Sequence, residues 1–154
     1  MGGLTTTELV RRHRRIGLDS NLFIYLADNV QPWSDRVAEL VTAIEGGHVE
    51  GVLSAVGLTE ILSGPSRDGD LGRLERTNHE IRAIPGLVVA PLGPEVAADA
   101  AVIRGIRRMT LPDAIHLATA RATGATAFVT NDRRIRGSAK LEVVYLDDLV
   151  PSAP

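Results

Sequence analysis

Four acids stand at points of this sequence where side chains can do chemistry. Asp19 follows Ile16-Gly17-Leu18, and Glu60 lies in Leu58-Thr59-Glu60-Ile61-Leu62. Asp113 lies in Leu111-Pro112-Asp113-Ala114-Ile115-His116, and Asp132 follows Phe128-Val129-Thr130-Asn131. Carboxylates gathered on one edge repel each other unless a cation joins them. Oxygen ligands without cysteine or clustered histidine suit Mg²⁺ or Mn²⁺ rather than zinc. Such ions keep several waters and bind phosphate oxygens, and a pair about 3.5–4 Å apart clamps an in-line displacement at phosphorus. The chemistry this set supports is hydrolysis of a phosphodiester.

Each acid also has a plainer reading. Asp19, before Ser20 and Asn21, reads as a helix cap, and Asp113, three residues after Thr110, as the acid of a capping box. Taken singly, Glu60 reads as an exposed helix residue and Asp132 as a turn residue. Their joint placement after the strands is what raises them. Ser20, Asn21 and Thr130 are candidates to orient Asp19 and Asp132 by hydrogen bonding. His116 lies one helical turn after Asp113, but a lone helical histidine reads as packed or surface, and it is left outside the site. Asp99, His48, Asp147 and Asp148 read as surface positions.

The elements that must position these acids follow from apolar patterning. Strands are expected at Ile16–Ser20, Val49–Val56, Leu87–Leu92, Thr126–Thr130 and Leu141–Leu146. Helices are expected over Asn21–Ala27, then from Ser34 through the Val37, Leu40, Val41 and Ile44 stripe to Gly46. A short helix is expected at Leu58–Leu62, a turn-rich loop at Gly64–Gly69 and a helix carrying Leu71, Leu74, Ile81 and Ile84. Two more are expected, from Pro94 to about Arg107 and from Leu111 to Thr123. Strands separated by helical crossovers imply a parallel sheet covered on both faces. The fold expected is therefore α/β, a three-layer α/β/α domain with a central parallel sheet of about five strands. In such sheets ligands bind outside the carboxyl ends of the strands.

The chain has 154 residues, enough for one core. Aromatics make up only 3%, so a nucleic acid would be held by its phosphates rather than on a stacking platform. The absence of cysteine excludes a disulfide framework and thiolate zinc sites. No apolar run suggests a secretory signal or a membrane span, and the expected location is cytoplasmic. The net charge is −2, and Lys140 is the only lysine. Arginines bunch at 11–15, 104–108 and 133–136. Of these, Arg104, Arg107, Arg108, Arg133 and Arg134 flank the acids and are candidate contacts to a nucleic-acid backbone.

Leu18-Asp19-Ser20-Asn21, Thr59-Glu60, Leu111-Pro112-Asp113-Ala114-Ile115-His116-Leu117-Ala118-Thr119-Ala120 and Val129-Thr130-Asn131-Asp132 together resemble the PIN-domain family. The nearest likeness is to the VapC-type toxins of prokaryotic toxin–antitoxin pairs, and it runs from about Ile16 to Leu146. The resemblance implies an endoribonuclease that uses Mg²⁺ or Mn²⁺ held by Asp19, Glu60, Asp113 and Asp132. It also implies a homodimer and a small cognate antitoxin that blocks the site. Residues 16–150 would form the nuclease domain, and 1–15 a basic N-terminal extension, whereas such proteins usually begin close to the first strand. An RNA-processing nuclease of the same fold without an antitoxin, and a non-catalytic module binding nucleic acid or protein, are the alternatives. A haloacid-dehalogenase type of phosphatase is disfavoured, because Asp19 lacks the second Asp of a DxD pair.

Overall fold

A computed structural model describes residues 2–138 and 140–153. Five strands, β2 (Arg15–Leu18), β3 (Glu50–Ser54), β4 (Leu87–Ala90), β5 (Ala127–Thr130) and β6 (Glu142–Tyr145), form one parallel sheet in the order β4-β3-β2-β5-β6. The inner strands are buried almost along their whole length, β5 at every residue. That is why they read as continuous apolar runs rather than alternating ones. The expected three-layer α/β/α architecture is present.

Helices cover both faces. α2 (Ser20–Ala27) and α3 (Trp33–Glu45) supply Leu22, Phe23, Val37, Leu40 and Ile44 to one apolar cluster. α6 (Pro94–Arg107) and α7 (Leu111–Ala122) supply Ala100, Ile103, Ala114, Ile115 and Leu117 to the other. α4 (Ala55–Arg67) reaches both, through Ile61 and Val56, and α5 (Leu71–Arg82) packs beside it. Among the described residues no helix is long and apolar enough to cross a membrane.

Residues ahead of the first predicted strand are ordered against this domain. β1 (Leu4–Thr5) pairs in parallel with β7 (Leu149–Val150), and α1 (Thr6–Arg12) follows with Leu9 fully buried. A capping box closes its start: the Glu8 amide donates to Thr5 Oγ1 at 3.1 Å and the Thr5 amide to Glu8 Oε2 at 2.8 Å.

The second expected strand is shorter than predicted, because Ser54 caps α4 by accepting from the Gly57 amide at 2.9 Å. The loop expected at Gly64–Gly69 is corrected too. α4 continues through Pro65 to Arg67, and the turn is confined to Asp68 and Gly69. Burial of Ile61 and Pro65 against the body of the protein outweighs the missing proline donor.

Gly17 explains how closely α7 approaches the sheet. A Cβ there would lie 2.7 Å from Ala120 Cβ and 2.8 Å from Phe128 Cδ2, inside van der Waals contact. Gly17→Ala is therefore expected to destabilise the protein by about 1–3 kcal/mol through overpacking. In urea unfolding the midpoint should fall with an unchanged slope; an unchanged midpoint would show that α7 moves away at no cost.

Candidate active site

The strand order reverses between β2 and β5. From β2 the chain builds β3 and β4 on one side, and β5 and β6 lie on the other. The crevice at the carboxyl ends of these two strands is where such sheets receive ligands. Asp19 lies directly after β2 and Asp132 shortly after β5.

Asp19 is 5% exposed and caps α2, its Oδ1 accepting from the Ser20 amide at 2.8 Å. The capping reading of this residue therefore holds, at the end of β2 that faces the crevice. Thr130, fully buried at the end of β5, donates from Oγ1 to Asp19 Oδ2 at 2.6 Å and accepts from the Asp132 amide at 3.0 Å. One hydroxyl thus ties the Asp19 carboxylate to the Asp132 backbone just past two neighbouring strands. Ser20 Oγ donates to Glu60 Oε1 at 3.0 Å, linking the cap of α2 to α4. Asn21 Oδ1 is buried without a hydrogen-bond partner among the described residues.

His116, left out by the sequence reading, proves to be the hub on the α7 side. It is 2% exposed, its Nε2 lies 2.7 Å from Glu60 Oε1, and its Nδ1 lies 2.7 Å from Ser54 Oγ. A carboxylate only accepts, so the Nε2 proton points to Glu60. Asp19 Oδ1 stands 3.9 Å from the same nitrogen. Gly57 makes room on α4 chiefly for Leu53: a Cβ there would lie 2.8 Å from Leu53 Cδ1, and 3.4 Å from His116 Cε1. The one-turn spacing from Asp113 was the signal in the sequence.

The acids sit in different fields. Burial, above all, pushes the Asp19 carboxyl above the usual carboxylate range, with the nearby charge of Asp113 adding to it. The hydrogen bond from His116 holds Glu60 below its ordinary value. Arg134 does the same for Asp132, gripping both oxygens: Nη2 donates to Oδ2 at 2.8 Å and Nε to Oδ1 at 3.0 Å. The Arg134 amide also donates to Oδ1 at 2.9 Å, so the turn reading of Asp132 holds as well. Asp113 occupies the first turn of α7, its amide 3.4 Å from Thr110 Oγ1.

Among the described residues no three His, Cys, Asp or Glu side chains already form an ion cage. Two of the four acids are turned to other partners, Glu60 to His116 and Asp132 to Arg134. The donor set nonetheless fits a hard divalent cation. It offers carboxylate oxygens, and its most buried member carries a carboxyl raised by desolvation and by another acid, the condition a cation relieves.

The arginines divide. Arg107, Arg108 and Arg134 line a cavity of about 540 Å³ beside Asp113, together with Arg136. Arg133 is turned away, paired with Asp148 at 2.9 Å and lying 4.3 Å over the Tyr145 ring. Arg104 is exposed on α6, outside that lining.

Residues 16–141 match the PIN domain family. The chain belongs to the PIN-domain family. The match starts within β2 and ends just before β6, so the PIN domain holds all four acids, while β1 and α1 precede it. No curated protein matches the sequence. Among solved structures, the PIN fold is shared with DNA-bound VapBC from Salmonella typhimurium, at a TM-score of 0.68 and 17% identity, covering 86% of this chain and 98% of that one. It is shared with FitAcB from Neisseria gonorrhoeae at a TM-score of 0.65 and 23% identity, with coverage of 86% and 98%. A third is Mycobacterium tuberculosis VapC20, described as a Sarcin-Ricin loop cleaving toxin, at a TM-score of 0.57 and 17% identity, covering 73% of this chain and 86% of that one.

Proposed function

We propose that this protein is a Mg²⁺- or Mn²⁺-dependent endoribonuclease, acting as the toxin of a toxin–antitoxin pair in the cytoplasm. What supports the reading is the hydrogen-bond chain at the switch point of a PIN-family sheet, in which Thr130 joins the Asp19 carboxylate to the Asp132 amide and Ser20, beside Asp19, donates to Glu60. Asp19, Glu60, Asp113 and Asp132 would hold the ions. When bound, these supply a Lewis acid for the phosphate and an activated water. The protein's own share is orientation. Thr130 holds Asp19 and the backbone of Asp132, Ser20 and His116 hold Glu60, and the cavity arginines meet the RNA phosphates. The toxin role and an antitoxin partner are supported by the likeness to a toxin–antitoxin complex and to DNA-bound FitAB and VapBC, and a homodimer is proposed on the family resemblance alone.

Incubating the purified chain with total RNA and sequencing new 5′ ends tests the activity. Discrete new ends are expected with Mn²⁺ or Mg²⁺ and none with a chelator. Intact RNA under all conditions would leave a non-catalytic binding module. Expression of the isolated chain should arrest growth while Asp113→Asn does not, and harmless expression of an active nuclease would remove the toxin role alone.

A further inference from the structure

Among the described residues, the Arg134 guanidinium is the one arginine fork joined directly to a proposed ion-holding acid and also facing the cavity beside Asp113. One edge of that fork is engaged: Nε and Nη2 both donate to Asp132, and the charge of Asp113 acts on it as well. It therefore stands as a cation among these acids. The rest of the cavity wall is braced differently. Arg107 spends Nη1 on the Arg136 carbonyl at 2.6 Å, so it fixes the wall. Arg108 closes α6 in the left-handed region at φ 51°, a conformation that non-glycine residues take sparingly and that recurs at binding sites. Arg136 lines the same space.

On the reading that Asp132 helps hold a divalent ion, we infer that Arg134 is a shared latch that couples ion binding to RNA binding, the arginine-lined cavity being the seat of an RNA phosphodiester next to the one cut. Asp132 cannot present the face between its two oxygens to an ion while the Arg134 fork holds that face. Arg134 cannot offer its bidentate Nε–Nη2 edge to a phosphate while that edge holds Asp132. An ion that takes Asp132 releases the guanidinium toward the cavity, and a phosphate that takes the guanidinium releases Asp132 toward the ion. Each ligand thus favours the arrangement the other needs, and the coupling is reciprocal. The Arg134 side chain is 80% exposed, and ion pairs so exposed add little to stability, so the latch opens at small cost.

The test uses the full chain, Mn²⁺ followed by calorimetric titration, and a labelled, nuclease-resistant single-stranded RNA carrying phosphorothioate linkages. Arg134→Gln is compared with Arg136→Gln, which removes the same charge from the cavity without touching Asp132. Without RNA, Arg134→Gln should bind Mn²⁺ severalfold more tightly than the wild type, and Arg136→Gln should not. Saturating Mn²⁺ should strengthen RNA binding to the wild type severalfold, up to about fivefold, the most that a pair so weakly held can transmit. In Arg134→Gln the gain should be clearly smaller, and in Arg136→Gln it should persist on a weaker baseline. Equal Mn²⁺ affinities of the two variants, or equal gains in wild type and Arg134→Gln, overturn the latch and leave the ion site standing. A wild type that binds no Mn²⁺ overturns the ion site and the latch together.

Discussion

Asp19→Asn should leave the protein folded and at least as heat-resistant as the wild type without metal, yet remove both RNA cleavage and the stabilisation that Mn²⁺ brings. The cap survives, because Asn and Asp serve nearly equally at a helix N-terminus and the Ser20 amide keeps an acceptor. What is lost is the charge, and in the metal-free protein that charge costs stability. Burial raises the folded-state carboxyl above its unfolded value. Its stability contribution is therefore present at acid pH and lost as pH rises through the folded value. The advantage of the Asn variant should accordingly grow from acid to neutral pH. With Mn²⁺ the order reverses. At a hundredfold excess over its Kd an ion adds about 2.7 kcal/mol to the wild type, a rise in melting temperature of roughly 5–10 °C for a domain of this size. The variant should show almost none of it. Cleavage should fall by roughly three orders of magnitude, about 4 kcal/mol of barrier. Melting curves with and without Mn²⁺ across pH, beside single-turnover cleavage, measure all three. A variant that keeps the full Mn²⁺ shift would reduce Asp19 to a cap.

The parts of this site that could be read in the sequence are those fixed by local order along the chain. Ile16-Gly17-Leu18 and Phe128-Val129-Thr130 are buried on both faces of a parallel sheet, so they appear as unbroken apolar runs with a polar residue at the end that faces the crevice. Asp19 and Asp132 were found by that rule, and Thr130 as their support. Contacts between distant segments were not legible. β1 meets β7 through pairs such as Leu4 with Leu149, and neither two-residue strand carries a period of its own. The run through Pro65 is helical because of what Ile61 and Pro65 bury, while its local composition signals a turn. The direction of an exposed fork was hidden as well. Arg133 and Arg134 are adjacent and alike, yet one pairs with Asp148 and the other with Asp132.

His116 is the largest of these omissions, and its replacement separates support of the fold from support of the site. The ring joins three bonds into one chain. The Gly57 amide donates to Ser54 Oγ, Ser54 Oγ shares a proton with His116 Nδ1, and His116 Nε2 donates to Glu60. The first two brace the start of α4 against α7, and the third aims the acid. His116→Phe keeps the bulk but removes both polar ends, leaving Ser54 short of a partner at a cost of about 1–3 kcal/mol and Glu60 held only by Ser20. His116→Gln also gives up the Ser54 bond, but its amide can still donate toward Glu60. Both variants should therefore unfold at lower urea concentration. Only Phe should weaken Mn²⁺ binding and slow cleavage, by about 10–100-fold, the usual loss when a group that orients a ligand carboxylate is removed. Calorimetric Mn²⁺ titration well below the unfolding midpoint, with cleavage assayed at saturating Mn²⁺, reads the two effects apart. If Gln loses as much Mn²⁺ affinity as Phe, or if Phe loses none, the ring is a brace for the helices and Glu60 is aimed by Ser20 alone.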